Sequence, residues 1–200
     1  MAAELAWRWL GRAAYREVYA LQRQVREDVW AGAPGQVLLC EHPPVITLGR
    51  SATEANILDA RGVDVERIER GGEVTYHGPG QLMIYPVVRI KGVVRFLEAV
   101  AGAIIETCAA FGVDGAAWRR DPAGVWLGDR KLAACGIHVS RGVVIHGFAF
   151  NIATPSEAWR MIRPCGLDVP QVSLNDACLE PTSVEQVATE MGPRVVRAVR

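Results

Sequence analysis

Cys165 lies in the run Met-Ile-Arg-Pro-Cys-Gly-Leu-Asp, with Pro164 before it and Gly166 after it. That pair of neighbours favours a turn that leaves the sulfur accessible, which suits a nucleophile. Cys40, Cys108 and Cys178 are read instead as small buried hydrophobes. A nucleophilic thiol needs a base or a cation beside it, and the candidates are His42, His77, His138, His146 and Lys131. His138 and His146 fall on two expected hairpin strands, where a structural histidine is the commoner outcome. Lys131 is one of two lysines, with Lys91, in a chain that holds twenty arginines. Arginine cannot release its proton at working pH, whereas a partly buried lysine can act as a cation in one step and a base in another. The plain alternative is a solvated lysine just after the turn at Gly128 and Asp129. No pair of histidines has zinc-ligand spacing, so no metal is expected.

A second feature is the stretch Glu-Arg-Gly-Gly-Glu-Val-Thr-Tyr-His-Gly-Pro-Gly-Gln-Leu-Met-Ile-Tyr-Pro, residues 69–86. It matches neither G-x-x-x-x-G-K-[ST] nor G-x-G-x-x-G, so the two standard phosphate-binding fingerprints are absent. Glycines let the backbone approach a ligand and expose its N–H groups. A tight hairpin with bulges would use them equally well. Tyr76 and His77, set among them, favour the wall of a ligand pocket.

The elements that must position these residues are read from periodicity. Residues 14–30 carry Val18, Leu21, Val25 and Val29 at helical spacing, which describes an amphipathic helix. A short extended opening precedes it. Gln-Val-Leu-Leu-Cys-Glu-His and Val-Ile-Thr-Leu-Gly read as strands, followed by Leu-Met-Ile-Tyr-Pro-Val-Val-Arg-Ile. Residues 93–111 form a largely buried helix ended by Gly112. Strands then dominate residues 116–151, the last two joined as a hairpin across Ser140, Arg141 and Gly142. A short helix over 156–161 follows, and Thr182 with Glu185 makes a capping box for a C-terminal helix. This irregular order predicts an α+β fold, a mixed sheet with surrounding helices, as one domain over residues 1–200. Half of the 200 residues are hydrophobic, and 22 basic residues balance 22 acidic ones. A formal net charge of zero supplies no global field for nucleic acid or an anionic membrane, and neither partner is expected. Glu4, Arg8 and Arg12 interrupt the apolar opening, and no later stretch reaches membrane-span length. Five scattered cysteines without a C-x-x-C pair point to a reducing, cytoplasmic setting.

Taken together, the Gly-rich stretch followed by Tyr85-Pro86, Gly-Val-Trp-Leu with Asp-Arg-Lys-Leu-Ala-Ala-Cys-Gly-Ile-His-Val, His-Gly-Phe-Ala-Phe-Asn, and Pro-Cys-Gly-Leu resemble the lipoyl(octanoyl) transferase family of lipoate biosynthesis. The resemblance implies a fold like that of the biotin and lipoate protein ligases. It implies Cys165 as the acyl-carrying nucleophile and Lys131 as its partner, a cysteine–lysine dyad working through a thioester. It further implies substrate binding by Arg70, Gly71, Gly72, Glu73, Val74, Thr75, Tyr76 and His77, by Ala134, Cys135 and Gly136, and by Gly147, Phe148 and Ala149. The implied reaction moves octanoyl from octanoyl-acyl carrier protein to the lysine amine of lipoyl domains, those of 2-oxoacid dehydrogenase E2 subunits and the glycine cleavage H protein. No cofactor and no ATP are implied. Phe150 and Cys135 depart from the leucine and the smaller or aliphatic residue common at those places. Three other readings stay open on sequence: an ATP-dependent lipoate ligase, a non-catalytic acyl- or lipoyl-domain-binding module, and a cysteine hydrolase using His146.

Overall fold

The computed structural model describes residues 4–60, 62–163 and 169–200. Two sheets organise the chain. The larger has seven strands in the order β1-β2-β6-β10-β9-β8-β7, where β1 is Ala6–Arg12, β2 Gln36–Glu41, β6 Gln81–Val87, β7 Ala116–Arg120, β8 Ala123–Leu127, β9 Arg130–Ser140 and β10 Val143–Asn151. The smaller has three, in the order β4-β3-β5, from Asp64–Arg67, Val45–Leu48 and Val74–His77. Parallel pairs, β1 with β2 and β3 with β4, sit among antiparallel ones, so the sheets are mixed and the fold is α+β.

Helices α2 (Val93–Ala110) and α3 (Val184–Ala198) cover one face of the large sheet. There Val100, Ile104 and Val187 meet Leu39, Ile84, Val144, Phe148 and Phe150 in one apolar cluster. Helix α1 (Tyr15–Trp30) covers the other face, where Val18, Val25 and Val29 pack on Leu38, Met83, Tyr85, Ile145 and Ala149. Neighbouring residues of β10 thus alternate between the two clusters, as the period-two geometry of a strand requires. Val45 of β3 meets Tyr15 of α1 in a small cluster of its own. No helix among the described residues is long and apolar enough to cross a membrane.

Three local readings change. The buried stripe of α1 holds Gln22 in place of Leu21, a polar residue on a face otherwise apolar. The capping box of α3 is Ser183 with Gln186, not Thr182 with Glu185. The Thr182 N–H already donates to Asn175 Oδ1 at 3.0 Å, which leaves Ser183 to cap. Strand β4 was not expected, because it is the outer strand of the small sheet, largely exposed, and its charged sequence carries no apolar run. The expected hairpin is present, with Arg141 and Gly142 both at positive φ, 47° and 75°, as a two-residue primed turn demands.

Candidate active site

A cavity with about 520 Å³ of empty space, its mouth included, opens beside the Gly-rich strand. One wall comes from residues 70–77 and the other from β9 and β10, which contribute Ala134, Cys135, Gly136, Gly147, Phe148 and Ala149. The second wall is low because small residues face each other across it: Ala134 pairs with Ala149, and Gly136 with Gly147. Side chains there would fill the slot. At Gly147 a Cβ would stand 2.0 Å from the Ile84 carbonyl oxygen, which is backbone and has no room to yield. Gly147→Ala should therefore push β10 off β6, destabilising the protein by about 2 kcal/mol. For a chain of this size that lowers Tm by several degrees, and a thermal melt compared with wild type checks it.

The sequence-predicted residues divide as follows. Arg70, Gly72, Glu73, Val74, Thr75, His77, Ala134, Cys135, Gly136, Gly147, Phe148 and Ala149 line the cavity. Gly71 and Tyr76 do not. The Gly71 N–H donates to the Ile137 carbonyl at 3.0 Å and ties the Gly-rich wall to β9. Tyr76 points away, into an apolar cluster where its ring meets Trp159 edge-on. Strand alternation explains it: Thr75 and His77 turn toward the cavity, so Tyr76 between them turns from it. Tyr15, Met83, Tyr85 and His146 line the cavity as well. Of these, Met83 and Tyr85 were recoverable as alternate positions of one strand, whereas Tyr15 comes from a helix distant in sequence and gives no local signal.

The buried polar groups form a directed network. The Arg70 guanidinium donates to Thr47 Oγ1 and to the Thr47 carbonyl, so the Thr47 hydroxyl is left to donate to His77 Nε2, 3.2 Å away. His77 Nδ1 donates to Gln81 Oε1 at 2.8 Å, Gln81 Nε2 to Asn151 Oδ1 at 2.9 Å, and Asn151 Nδ2 to the Val172 carbonyl at 3.3 Å. The Val172 N–H donates in turn to the Lys131 carbonyl, at 3.0 Å. His42 is fixed separately: Nδ1 donates to the Ala13 carbonyl at 2.7 Å, so Nε2 accepts from the Tyr85 hydroxyl at 3.0 Å. Burial pushes His42 and His146 down to about 4 and His77 to about 3. The imidazoles are therefore neutral at physiological pH, and the inner cavity carries no histidine charge.

Lys131 is not the solvated turn residue. It sits second in β9, 3% exposed, with Nζ 4.9 Å from the centre of the Trp126 ring. Trp126 is itself buried and held by its indole N–H, which donates to the Pro122 carbonyl at 3.1 Å. The face of an indole attracts an ammonium without neutralising it as a carboxylate would, and no ion pair among the described residues includes Lys131. Its backbone pairs with the chain at Gln171: Lys131 N–H donates to the Pro170 carbonyl at 2.8 Å. Cys165 lies outside the described residues. The chain just before it is fastened too, by an Arg163 N–H bond to the Asn56 carbonyl at 2.8 Å.

The fold is shared with known ligases. A crystal structure of lipoate-protein ligase A bound with ATP superposes with a TM-score of 0.80 at 13% identity, covering 99% of this chain and 85% of that one. A biotin protein ligase from Aquifex aeolicus superposes at 0.55 with 11% identity, covering 100% and 70%. The chain belongs to the lipoyl protein ligase A/B catalytic domain family, whose model matches residues 14–194. Within that family it is 40% identical over 190 residues to an octanoyltransferase of Acidobacterium capsulatum, covering 82% of this chain and 76% of that protein. This kinship makes it an acyltransferase.

Proposed function

We propose that the protein transfers octanoyl from the phosphopantetheine thioester of acyl carrier protein to the ε-amine of a lysine on lipoyl domains, with Cys165 carrying the acyl group between them. The observation that carries this reading is the slot floored by the small residues Ala134, Gly136, Gly147 and Ala149, with buried Lys131 on the strand that supplies Ala134 and Gly136. At about 0.8 kcal/mol per methylene, an eight-carbon tail buried there contributes roughly 5 kcal/mol, which separates octanoyl from acetyl.

In the first half-reaction the Cys165 thiolate attacks the thioester carbonyl and the pantetheine thiol leaves with a proton. An ammonium at Lys131 favours that thiolate and gives its proton to the departing pantetheine sulfur, which leaves the lysine neutral for the second half-reaction. In the second, the acceptor amine attacks the Cys165 thioester, a neutral Lys131 takes the amine proton, and the thiolate departs. One thioester replaces another and then yields an amide, so no ATP is consumed. The pairing of Lys131 with Pro170 and Gln171 supports the assignment, since it brings the chain downstream of Cys165 to the lysine. Acceptors of this reaction are lipoyl domains of 2-oxoacid dehydrogenase E2 subunits and the glycine cleavage H protein, and residues 1–200 act as one catalytic domain in the reducing cytoplasm. Intact-mass analysis after exposure to octanoyl-acyl carrier protein should show one added octanoyl group, mapped by peptide digestion to Cys165. An adduct on another residue, or one that forms only from free octanoate with ATP, overturns the reading.

A further inference from the structure

His146 is the outlier of β10. Its φ is 61°, a left-handed value that non-glycine residues rarely adopt in a strand. The register that pairs Phe148 with Ile84, continued two residues along, places His146 opposite Pro86. The Val144 N–H donates to the Val88 carbonyl at 2.9 Å, so alternate residues of β6, Pro86 among them, turn their backbone groups toward β10. Pro86 has no N–H to donate to the His146 carbonyl, so the reciprocal pair of ladder bonds cannot form there and only the Pro86 carbonyl is available to β10. The His146 N–H goes instead to the side chain of Gln22 on α1, at 2.8 Å, where both residues are buried.

The left-handed turn also moves the ring. Val144 and Phe148 point into the cluster beneath α2 and α3, and simple alternation would send His146 with them. Its imidazole instead stacks on Tyr19 of α1, with ring centroids 5.4 Å apart, and its Nε2 lies 4.0 Å from Glu69, the residue that opens the Gly-rich wall. Glu69 also accepts from the Tyr19 hydroxyl.

Building on the octanoyl-transfer reading, we propose that Gln22 is a positioning residue of the acyl slot. By accepting the N–H that the left-handed turn directs away from the Pro86 carbonyl, it holds His146 left-handed, brings the imidazole to the cavity face, and sets the line of Gly147 and Ala149 on which the acyl tail lies. Gln22 touches no substrate; it acts through His146. This also accounts for a glutamine at the centre of an apolar helix stripe.

The test compares two substitutions at one position. His146→Gly and His146→Val both remove the imidazole, but only glycine adopts a φ near 60° without strain. We expect His146→Val to lose about ten-fold more kcat/KM for octanoyl transfer than His146→Gly. Gln22→Met, of similar size but without the acceptor, should raise KM for the octanoyl donor about ten-fold more than for a butyryl donor. Adding His146→Gly to Gln22→Met should recover most of that loss, because glycine no longer needs the strut. Equal losses for the glycine and valine variants, or a Gln22→Met/His146→Gly protein no better than Gln22→Met, would overturn the proposal. If Gln22→Met does not fold, the glycine and valine pair still decides it. Wild-type octanoyl transfer run alongside tests the functional reading itself, so a failure there is distinguishable from a failure of the strut.

Discussion

Cys165→Ala should transfer octanoyl at least roughly four orders of magnitude more slowly than the wild type and form no acyl adduct. The expectation follows from covalent catalysis: without the sulfur, the acceptor amine must attack the carrier thioester in a complex that has to hold both protein partners at once. Lys131→Met should lose about 10² to 10⁴ of the rate, the range of a positioned acid–base group. In the proposed mechanism the lysine acts only through the thiolate and the acyl-cysteine, so the double variant should be no slower than Cys165→Ala alone. Steady-state transfer to a lipoyl domain and intact mass together check both. A Cys165→Ala protein retaining more than about a hundredth of the rate would mean that the cysteine carries no acyl group.

Acid should unfold the protein abruptly, and the sign follows from three buried imidazoles. Burial lowers His42 and His146 from 6.5 to about 4, and His77 to about 3. The surrounding charges act on them as well: Arg70 opposes protonation of His77 and His146, and Glu69 favours that of His146. In the unfolded chain all three return to ordinary values, so unfolding takes up protons in the interval below 6.5. Stability is thus complete above about pH 6.5 and is lost as the pH falls toward 4. With up to three protons linked, the slope approaches roughly 4 kcal/mol per pH unit. Against a total of about 5 to 15 kcal/mol, this places acid unfolding between about pH 5 and pH 4 for a stability in the lower half of that range. Urea unfolding followed by circular dichroism at pH 7.5, 6 and 5 measures the slope. A midpoint that does not move between pH 7.5 and 5 would mean that the imidazoles are already charged, or solvated, in the fold. His77→Gln should flatten the curve by about one proton's share.

How much of this was legible in the residues varies from element to element. Helix α1 announced itself through valines at helical spacing, because a helix must bury one face whatever it packs against. The two hairpin strands showed through the glycine and arginine of a tight turn and the alternation on either side. Twelve of the fourteen residues assigned to substrate binding line the cavity, since four ordered motifs carry them as a set. Tyr76 failed for a local reason: within a strand every second residue must face the other way.

The motifs and their spacing by themselves determined the mixed α+β fold, the acyltransferase family and the small residues of the slot, and they are what puts Cys165 with Lys131 forward as the proposed reacting pair. Those properties belong to short stretches whose residue types suit few alternatives. Tertiary structure alone decided that Lys131 rests on Trp126 and not in solvent, that three histidines are driven neutral by burial, and that Gln22 takes the N–H of a left-handed His146 across from Pro86. Each of these joins residues far apart along the chain, and desolvation or strain at a residue depends on what the fold packs around it.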